Sequence, residues 1–323
     1  MLRDSTRNSF RVGPIRLDTQ SKWLRPRDAR YTLAETRELQ NSDLLREADV
    51  MSDPRTNYVL ASGATELERL RLQARVWEPE TERWLDEIGI QQGWTCADLG
   101  CGAMGVIGPL SRRVGATGRV FGIDRDPLQL ADARQYVAEQ ALGNVEIVED
   151  DAYASALPGA SFDFAHARFL LAPVGHDDEL LREMWRLAKP GGIMALQEPD
   201  ASAWNFYPSD PEWQRLKACI LAAFRSGGGD VNAGQRTFGL LRTLGLEQVR
   251  LRAAVLGLCD CHPYMRLPVQ FAASLRPRLL GEGLVGEAEL DAAIAACERI
   301  ASDPERTCIT FVVTQVCGRK PRA

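Results

Sequence analysis

An alternation of short apolar runs with helix-forming stretches between Trp94 and Asp200 constrains the fold more than any other feature. The apolar runs read TCADLG, RVFGID, VEIVED, FDFAHA and GGIMALQEPD, and stretches with helical periodicity separate most of them. Strands joined by helical crossovers form parallel sheets with helices on both faces. The pattern therefore predicts a doubly wound α/β domain with a mostly parallel sheet.

A glycine-rich turn follows the first predicted strand. Gly100, Gly102 and Gly105 match the spacing GxGxxG, which lets a strand turn sharply and brings backbone N–H groups against a ligand. Asp98 lies at the tip of the first strand, where its carboxylate can hold an ammonium or a hydroxyl group. Asp124 ends the second strand, where a carboxylate can accept both hydroxyls of a ribose. The glycines and the two acids together predict a site for a nucleoside-containing ligand.

Five ordered motifs resemble those of the class I S-adenosylmethionine-dependent methyltransferases, in particular their small-molecule branch. The motifs are ADLGCGAMG, FGIDRDP, EDDA, FAHARFLL and LAKPGGIMALQEPD. The resemblance is close over residues 58–200 and looser elsewhere. It implies a Rossmann-like, seven-stranded, mostly parallel sheet with S-adenosyl-L-methionine as the cofactor.

The same resemblance implies roles for seven residues. By this resemblance, the methionine part of the cofactor would be lined by Asp98, Gly100 and Gly102, and Arg168 would lie near it. Asp124 would bind the ribose, and Asp151 and Ala152 would bind the adenine. Met104 stands where the family has its third glycine, and Gly105 follows it. This departure leaves the role of Gly105 open.

The predicted domain boundaries place an N-terminal arm at residues 1–57 and a methyltransferase domain at 58–323. A helix is expected from Thr65, with Pro79 breaking or restarting it. TCITFVVTQVC is expected to form the last strand.

Two cap insertions are expected at about 199–232 and 262–301, near the strand ends where open α/β sheets bind their ligands. The first insertion contains Trp204, Phe206 and Tyr207, which we expect to bind the substrate, although a packed cap core explains them equally well.

Candidate catalytic residues are His262 and Tyr264 in the second insertion, because histidine is the side chain best suited to accept a proton near neutral pH. Of the other two histidines, we interpret His166 as a packed or hydrogen-bonded residue and His176 as a helix start.

Composition narrows the class of partner. A net charge of −5 argues against a nucleic-acid-binding protein and favours a small-molecule substrate. Eight scattered cysteines without a CxxC pair indicate buried thiols in a reducing, cytoplasmic compartment and no metal site. No apolar run is long enough to span a membrane. The sequence leaves open whether the protein is a monomer or a homodimer.

The sequence thus predicts an enzyme that methylates a small organic acceptor by in-line transfer, with oxygen, nitrogen and carbon nucleophiles all open. Two alternatives stay open, an NAD-dependent oxidoreductase and a non-methylating S-adenosylmethionine-binding protein.

Overall fold

The structure is a computed structural model that describes residues 59, 60 and 63–322. The predicted arm at 1–57 lies outside the described residues. The first described helix, α1, spans Ala64–Ile88 without interruption and contains Pro79, so the expected break at this proline is wrong. Trp84 and Leu85 bury one face of α1 against the sheet, and this packing maintains a helix that lacks one backbone donor. It ends at Gly89, whose φ of 80° is left-handed.

Seven strands form the main sheet in the order β3-β2-β1-β4-β5-β10-β7. Their bounds are β1 Thr95–Leu99, β2 Arg119–Asp124, β3 Val145–Glu149, β4 Phe162–Arg168, β5 Ala188–Asp200, β7 Glu247–Ala254 and β10 Val312–Arg319. The first five are parallel, whereas β10 runs antiparallel to both β5 and β7. The predicted mostly parallel, seven-stranded sheet is confirmed.

Helices cover both faces of this sheet. Those between its strands are α2 Ile107–Val114, α3 Pro127–Glu139, α4 Leu171–Val174, α5 Asp177–Leu187, α6 Pro211–Ser226 and α7 Gly234–Thr243. Helices α1 and α2 enclose one apolar core with the sheet. Helices α4, α5 and α7 enclose a second core on the opposite face, so the layers are those of a doubly wound fold.

A smaller layer, which we call the cap, lies beyond the carboxyl end of β5. It consists of α6, of α8 Leu267–Gly281 and α9 Glu287–Ala301, and of a three-stranded sheet made of β6 Asn205–Tyr207, β9 Thr307–Ile309 and β8 Gly257–Leu258. A 3-10 turn at Pro263–Arg266 precedes α8. The cap helices share a third apolar core with α1.

The single strand expected for TCITFVVTQVC is wrong, because β9 and β10 belong to different sheets. Thr310 lies between them and forms two hydrogen bonds with Leu256, one from its N–H to the Leu256 carbonyl (3.0 Å) and one from the Leu256 N–H to its Oγ1 (3.0 Å). Phe311 is buried in the cap core. These contacts turn the chain from the cap sheet into the main sheet.

No described helix is long and apolar enough to cross a membrane. All eight cysteines are free thiols. Within residues 59, 60 and 63–322, no group of three or more histidine, cysteine, aspartate or glutamate side chains is placed to hold a metal ion.

Candidate functional site

A cavity of about 780 Å³ opens at the carboxyl ends of the parallel strands, where doubly wound folds bind ligands. Its lining includes every residue for which the sequence predicts a cofactor contact, namely Asp98, Gly100, Gly102, Asp124, Asp151, Ala152 and Arg168. The topology brings them together because the carboxyl ends of β3, β2, β1 and β4 meet at one edge of the sheet. Their individual contacts to a cofactor stay predictions.

The glycine turn requires left-handed backbone at three positions. The φ angles are +66° at Gly100, +58° at Gly102 and +50° at Gly105, a region that disfavours residues with a Cβ atom. A Cβ on Gly105 would lie 2.7 Å from the Cys101 carbonyl oxygen and would also overlap Oδ2 of Asp98. The residue whose role the sequence left open therefore allows the turn to close over the Asp98 carboxylate.

Asp98 is buried and held from two sides. Its Oδ2 accepts a hydrogen bond from the Val106 N–H (2.9 Å), at the start of the helix after the glycine turn. Its Oδ1 lies 2.8 Å from Nδ1 of His166. The His166 ring is fully buried and stacks on Phe164 with centroids 5.8 Å apart. The predicted packed or hydrogen-bonded histidine is therefore both.

Asp124 is tied to the same turn. Its Oδ2 accepts from the Gly102 N–H (2.8 Å), and its Oδ1 accepts from the N–H groups of Arg125 (2.8 Å) and Asp126 (3.0 Å). Burial raises the pKa of this carboxyl, and the three backbone donors oppose the change. The donors fix the direction in which the carboxylate faces the cavity.

Residues after β3 form the next part of the wall. The Tyr153 N–H donates to Oδ1 of Asp151 (2.9 Å), which closes a tight turn around Ala152. The Tyr153 hydroxyl donates to the Gly175 carbonyl (3.0 Å), and burial raises the pKa of this hydroxyl. The turn presents a small apolar side chain between two polar backbone segments, which suits a flat heteroaromatic ring.

Arg168 lies beneath the glycine turn. Its Nη2 donates to the Gly105 carbonyl (2.8 Å), and its Nη1 donates to Oγ1 of Thr81 on α1 (3.3 Å). Burial lowers the pKa of Arg168, and the nearby Asp98 carboxylate raises it. An arginine stays protonated in such a site, so it contributes a positive charge near the turn.

The other end of the cavity is apolar. It is lined by apolar side chains from α1 and the residue Leu60 before it, from the segment after β4, and from the cap and the segments that join it to the main sheet. They are Leu60, Leu70, Ala74, Phe169, Phe224, Val231, Phe271 and Phe311. Phe169 has a φ of +55°, a conformation that costs about 1–3 kcal/mol for a non-glycine residue. Its ring contacts Phe311 edge-to-face, with centroids 5.9 Å apart. A residue held at this cost in a cavity wall marks a candidate binding position.

Two polar side chains interrupt the apolar wall. Arg69 forms a buried ion pair with Glu66, with its Nη2 2.6 Å from Oε1. Its Nη1 also donates to Oε1 of Gln73 (2.9 Å), and its guanidinium lies 5.2 Å from the centroid of the Phe271 ring. The positive charge is therefore balanced within the protein.

The residues predicted to be catalytic or substrate-binding do not belong to the lining of this cavity. The Tyr264 hydroxyl is buried behind the wall, where it accepts from Nε1 of Trp77 (3.1 Å) and donates to Oε1 of Gln73 (3.3 Å). Burial raises the pKa of Tyr264 and lowers that of His262. His262 begins the 3-10 turn, and its Nδ1 accepts from the Tyr264 N–H (3.2 Å).

Trp204 and Phe206 are in the packed core of the cap, whereas the Tyr207 side chain is 48% exposed. The functions proposed for these three residues, His262 and Tyr264 stay predictions. Sequence reasoning did not identify the four phenylalanines that line the apolar end. Only Phe169 had a local signal, because it directly follows β4 in the motif FAHARFLL.

Comparison with known proteins gives a family match for part of the chain. Residues 96–192 match the family model described as a methyltransferase domain. A demethylmenaquinone methyltransferase of Listeria monocytogenes is 31% identical over 132 residues, which are 40% of this chain and 54% of the relative. The ubiquinone/menaquinone biosynthesis C-methyltransferase UbiE of Escherichia coli is 34% identical over 141 residues, 41% of this chain and 55% of the relative. The chain thus spans about half the length of the curated relatives it matches.

A solved structure of a SAM-dependent methyltransferase from Aquifex aeolicus aligns with 60% of this chain and 93% of its own, at 22% identity and a TM-score of 0.45. The matched domain at 96–192 contains the glycine turn and the four parallel strand ends that form the cavity's polar end. Residues 96–192 are therefore similar to a methyltransferase domain, and the ordered motifs of the sequence resemble the same family.

Proposed function

We propose that this protein transfers a methyl group from S-adenosylmethionine to a small organic acceptor with an apolar body. The observation that carries the proposal is one continuous cavity with two chemically different ends. Strand-tip carboxylates and a glycine turn line one end, and phenylalanine rings line the other. A polar cofactor and an apolar acceptor would therefore meet between them.

The polar end fits the cofactor group by group. Asp98 would hold the cationic ammonium, and Asp124 would accept hydrogen bonds from the ribose hydroxyls. The turn at Asp151 and Ala152 would hold the adenine. Arg168 would lie near the methionine part, because its guanidinium is fixed at the Gly105 carbonyl.

Bound S-adenosylmethionine supplies a methyl group that is already activated by a sulfonium, so the protein's contribution is positioning. The glycine turn and the strand-tip acids would orient the donor, and the cap would exclude water. Such positioning is worth about 7–11 kcal/mol of a reaction barrier.

The apolar end supports an acceptor that contains a ring or a hydrocarbon body. Four phenylalanines, Phe169, Phe224, Phe271 and Phe311, offer aromatic faces and edges to such a body. Arg69 at that end is already paired with Glu66, so its charge is not available to a charged acceptor. The relatives named for demethylmenaquinone and for ubiquinone/menaquinone biosynthesis support the same kind of acceptor. Tyr264 would act on it only through Gln73.

We further propose that residues 58–323 form one methyltransferase domain, with cap insertions at about 199–232 and 262–301 that select the acceptor. Helices α6, α8 and α9 of the cap support this assignment, since they share a core with each other. The eight free thiols support a cytoplasmic protein. The net charge of −5 supports small-molecule rather than nucleic-acid partners, and a monomer and a homodimer both stay open.

Titration calorimetry followed by a transfer assay tests the function. We expect S-adenosylmethionine and S-adenosylhomocysteine to bind and NAD not to bind. Isotopically labelled methyl donor should then label apolar, ring-containing acceptors, such as a set of quinols and phenols, in preference to amines and carboxylates. Binding of NAD in place of S-adenosylmethionine would support the oxidoreductase alternative, and binding without any labelled product would support the non-methylating alternative.

A further inference from the structure

A row of polar side chains crosses five neighbouring strands inside the main sheet. Its members are Asp98 on β1, His166 on β4, Gln197 on β5, Gln315 on β10 and Arg252 on β7. Asp98 pairs in register with His166, and Gln315 pairs with both Gln197 and Arg252. His166, Gln197 and Gln315 are at most 1% exposed. We call these five residues the polar row, and it connects the cavity with the far edge of the sheet.

The arginine at the far edge determines the direction of the hydrogen bonds. Arg252 has only donors, so Oε1 of Gln315 must be the atom that accepts from it. The Gln315 Nε2 therefore points away from Arg252, and it donates to Oε1 of Gln197 (2.8 Å). A rotation of either amide by half a turn would place two donors against each other in the buried sheet.

A second arginine contacts the same atom through a threonine. Nη1 of Arg168 donates to Oγ1 of Thr81 (3.3 Å), and the Thr81 hydroxyl donates to Oε1 of Gln197 (3.2 Å). This contact is compatible with the orientation of Gln197, whereas the chain from Arg252 through Gln315 requires it and directs Nε2 of Gln197 toward His166.

The orientation of Gln197 decides whether Nε2 of His166 carries a proton. Nε2 of Gln197 lies 3.0 Å from Nε2 of His166, and an amide nitrogen can only donate. The His166 Nε2 must therefore accept, which leaves the ring neutral with its proton on Nδ1. Nδ1 faces Oδ1 of Asp98 at 2.8 Å and donates to it.

We infer that His166 is a positioning residue for the cofactor site, held by the polar row as the Nδ1-protonated tautomer so that it donates to Asp98 and orients its carboxylate. The inference rests on the proposed function for its binding consequence, but the tautomer follows from the hydrogen bonds alone. With Oδ1 bound to His166 and Oδ2 bound to the Val106 N–H, the carboxylate cannot rotate. Its remaining lone pairs then face the cavity that it lines.

The surroundings of the ring support a fixed orientation. The Phe164 ring stacks on His166 at an interplanar angle of 15°, and Trp84 lies against it with centroids 6.0 Å apart. The ring therefore has no room to flip, and its two nitrogens keep separate partners. The Asp98 carboxylate can only accept, so it requires a proton on Nδ1, and the amide nitrogen of Gln197 can only donate, so it requires that Nε2 carry none.

Nitrogen NMR of the histidine rings tests the tautomer without any cofactor. The protein has three histidines, and the signal lost in the His166→Gln variant identifies His166 in the wild-type spectrum. Long-range proton–nitrogen correlations should report a neutral ring with the proton on Nδ1. A proton on Nε2, or on both nitrogens, at neutral pH would overturn the inference.

Two substitutions at His166 test its consequence for binding. In His166→Asn the amide nitrogen takes the place of Nδ1 and can still donate to Asp98, whereas in His166→Gln it takes the place of Nε2 and cannot reach. We expect the Asn variant to bind S-adenosylhomocysteine with a Kd close to that of the wild type and the Gln variant to bind about tenfold more weakly. Thermal unfolding of both variants measures how much each one destabilises the fold.

A purely structural role predicts a different result. It would lower stability in both variants and leave their affinities equal, and that outcome would overturn the positioning role. A wild-type protein that fails to bind S-adenosylhomocysteine would contradict the proposed function, while the NMR result would still decide the tautomer.

Discussion

Replacing Gly105 with alanine should damage the fold and the cofactor site together, because its Cβ has no free space. The substitution places a Cβ atom 2.7 Å from the Cys101 carbonyl and against the Asp98 carboxylate. Both neighbours are fixed, the first because it is backbone and the second because it is hydrogen-bonded to Val106 and His166. Relief of the overlap must therefore move the carboxylate or open the turn.

The magnitude has two parts. Left-handed backbone costs an L-residue roughly 1–2 kcal/mol relative to glycine, which applies to Gly105 at a φ of +50°. Overlap in a packed interior adds typically about 1–3 kcal/mol. The free energy of unfolding of Gly105→Ala should therefore fall by roughly 2–5 kcal/mol in urea denaturation.

Alanine substitutions at two other glycines measure the backbone cost and the overlap cost separately. Gly89 has a φ of +80° and nothing within 4 Å of an added Cβ, so Gly89→Ala measures the backbone cost alone. Gly102 has a φ of +58°, and its Cβ would meet only the flexible end of Gln129 at 3.0 Å, so Gly102→Ala should lose about as much stability as Gly89→Ala. Both Gly102→Ala and Gly105→Ala should weaken S-adenosylhomocysteine binding. Equal stability losses for Gly105→Ala and Gly89→Ala would refute the proposed packing of the turn on Asp98.

Three further changes probe other parts of the site. Asp124→Ala should weaken S-adenosylhomocysteine binding by about 1.5–3 kcal/mol in calorimetry, because the ribose loses a charged acceptor, and an unchanged affinity would exclude Asp124 from the site. Phe271→Ala should raise the KM for the acceptor about tenfold while the Kd for S-adenosylhomocysteine stays nearly constant, and a change in the Kd alone would contradict an acceptor role. Burial raises the pKa of Glu198 from 4.5 to about 7 although three backbone N–H groups donate to it. The folded state then binds a proton that the unfolded state has lost, so the free energy of unfolding should fall as pH rises from about 4.5 to 7, and Glu198→Gln should lose that part of the slope in urea denaturation.

The fold and the polar end of the cavity could be predicted from the sequence because their signals are local. Strand and helix periods alternate along the chain, and Asp98 lies within a few residues of the glycines that it supports. The continuous α1 could not be predicted in this way. Pro79 is a local signal for a break, and only burial of Trp84 and Leu85 against the sheet overrides it.

The apolar end of the cavity depends on contacts between distant segments. Leu60, Phe169, Phe224, Phe271 and Phe311 come from five separate parts of the chain, and each resembles an ordinary core residue in its own segment.

The polar row could not be predicted for the same reason. The interpretation of His166 as packed or hydrogen-bonded identified its environment, but its partners depend on the pairing of β4 with β1 and on the orientation of Gln197.

The aromatic residues of the cap lie close together in the sequence, but that local signal did not decide between a pocket and a packed core. In the sequence, Trp204 and Phe206 are explained equally well by a substrate pocket and by a packed cap core. In the structure both rings contact Trp213 edge-to-face inside the cap core, with centroids 4.8 and 5.2 Å apart.

A crystal structure of the protein with S-adenosylhomocysteine would show which end of the cavity holds the cofactor. The ribose should contact Asp124, the ammonium should contact Asp98, and the thioether sulfur should face the space enclosed by Phe169, Phe271 and Phe311. Density for the ligand in the phenylalanine-lined end, or outside the cavity with Asp98 and Asp124 uncontacted, would contradict the proposed cofactor site.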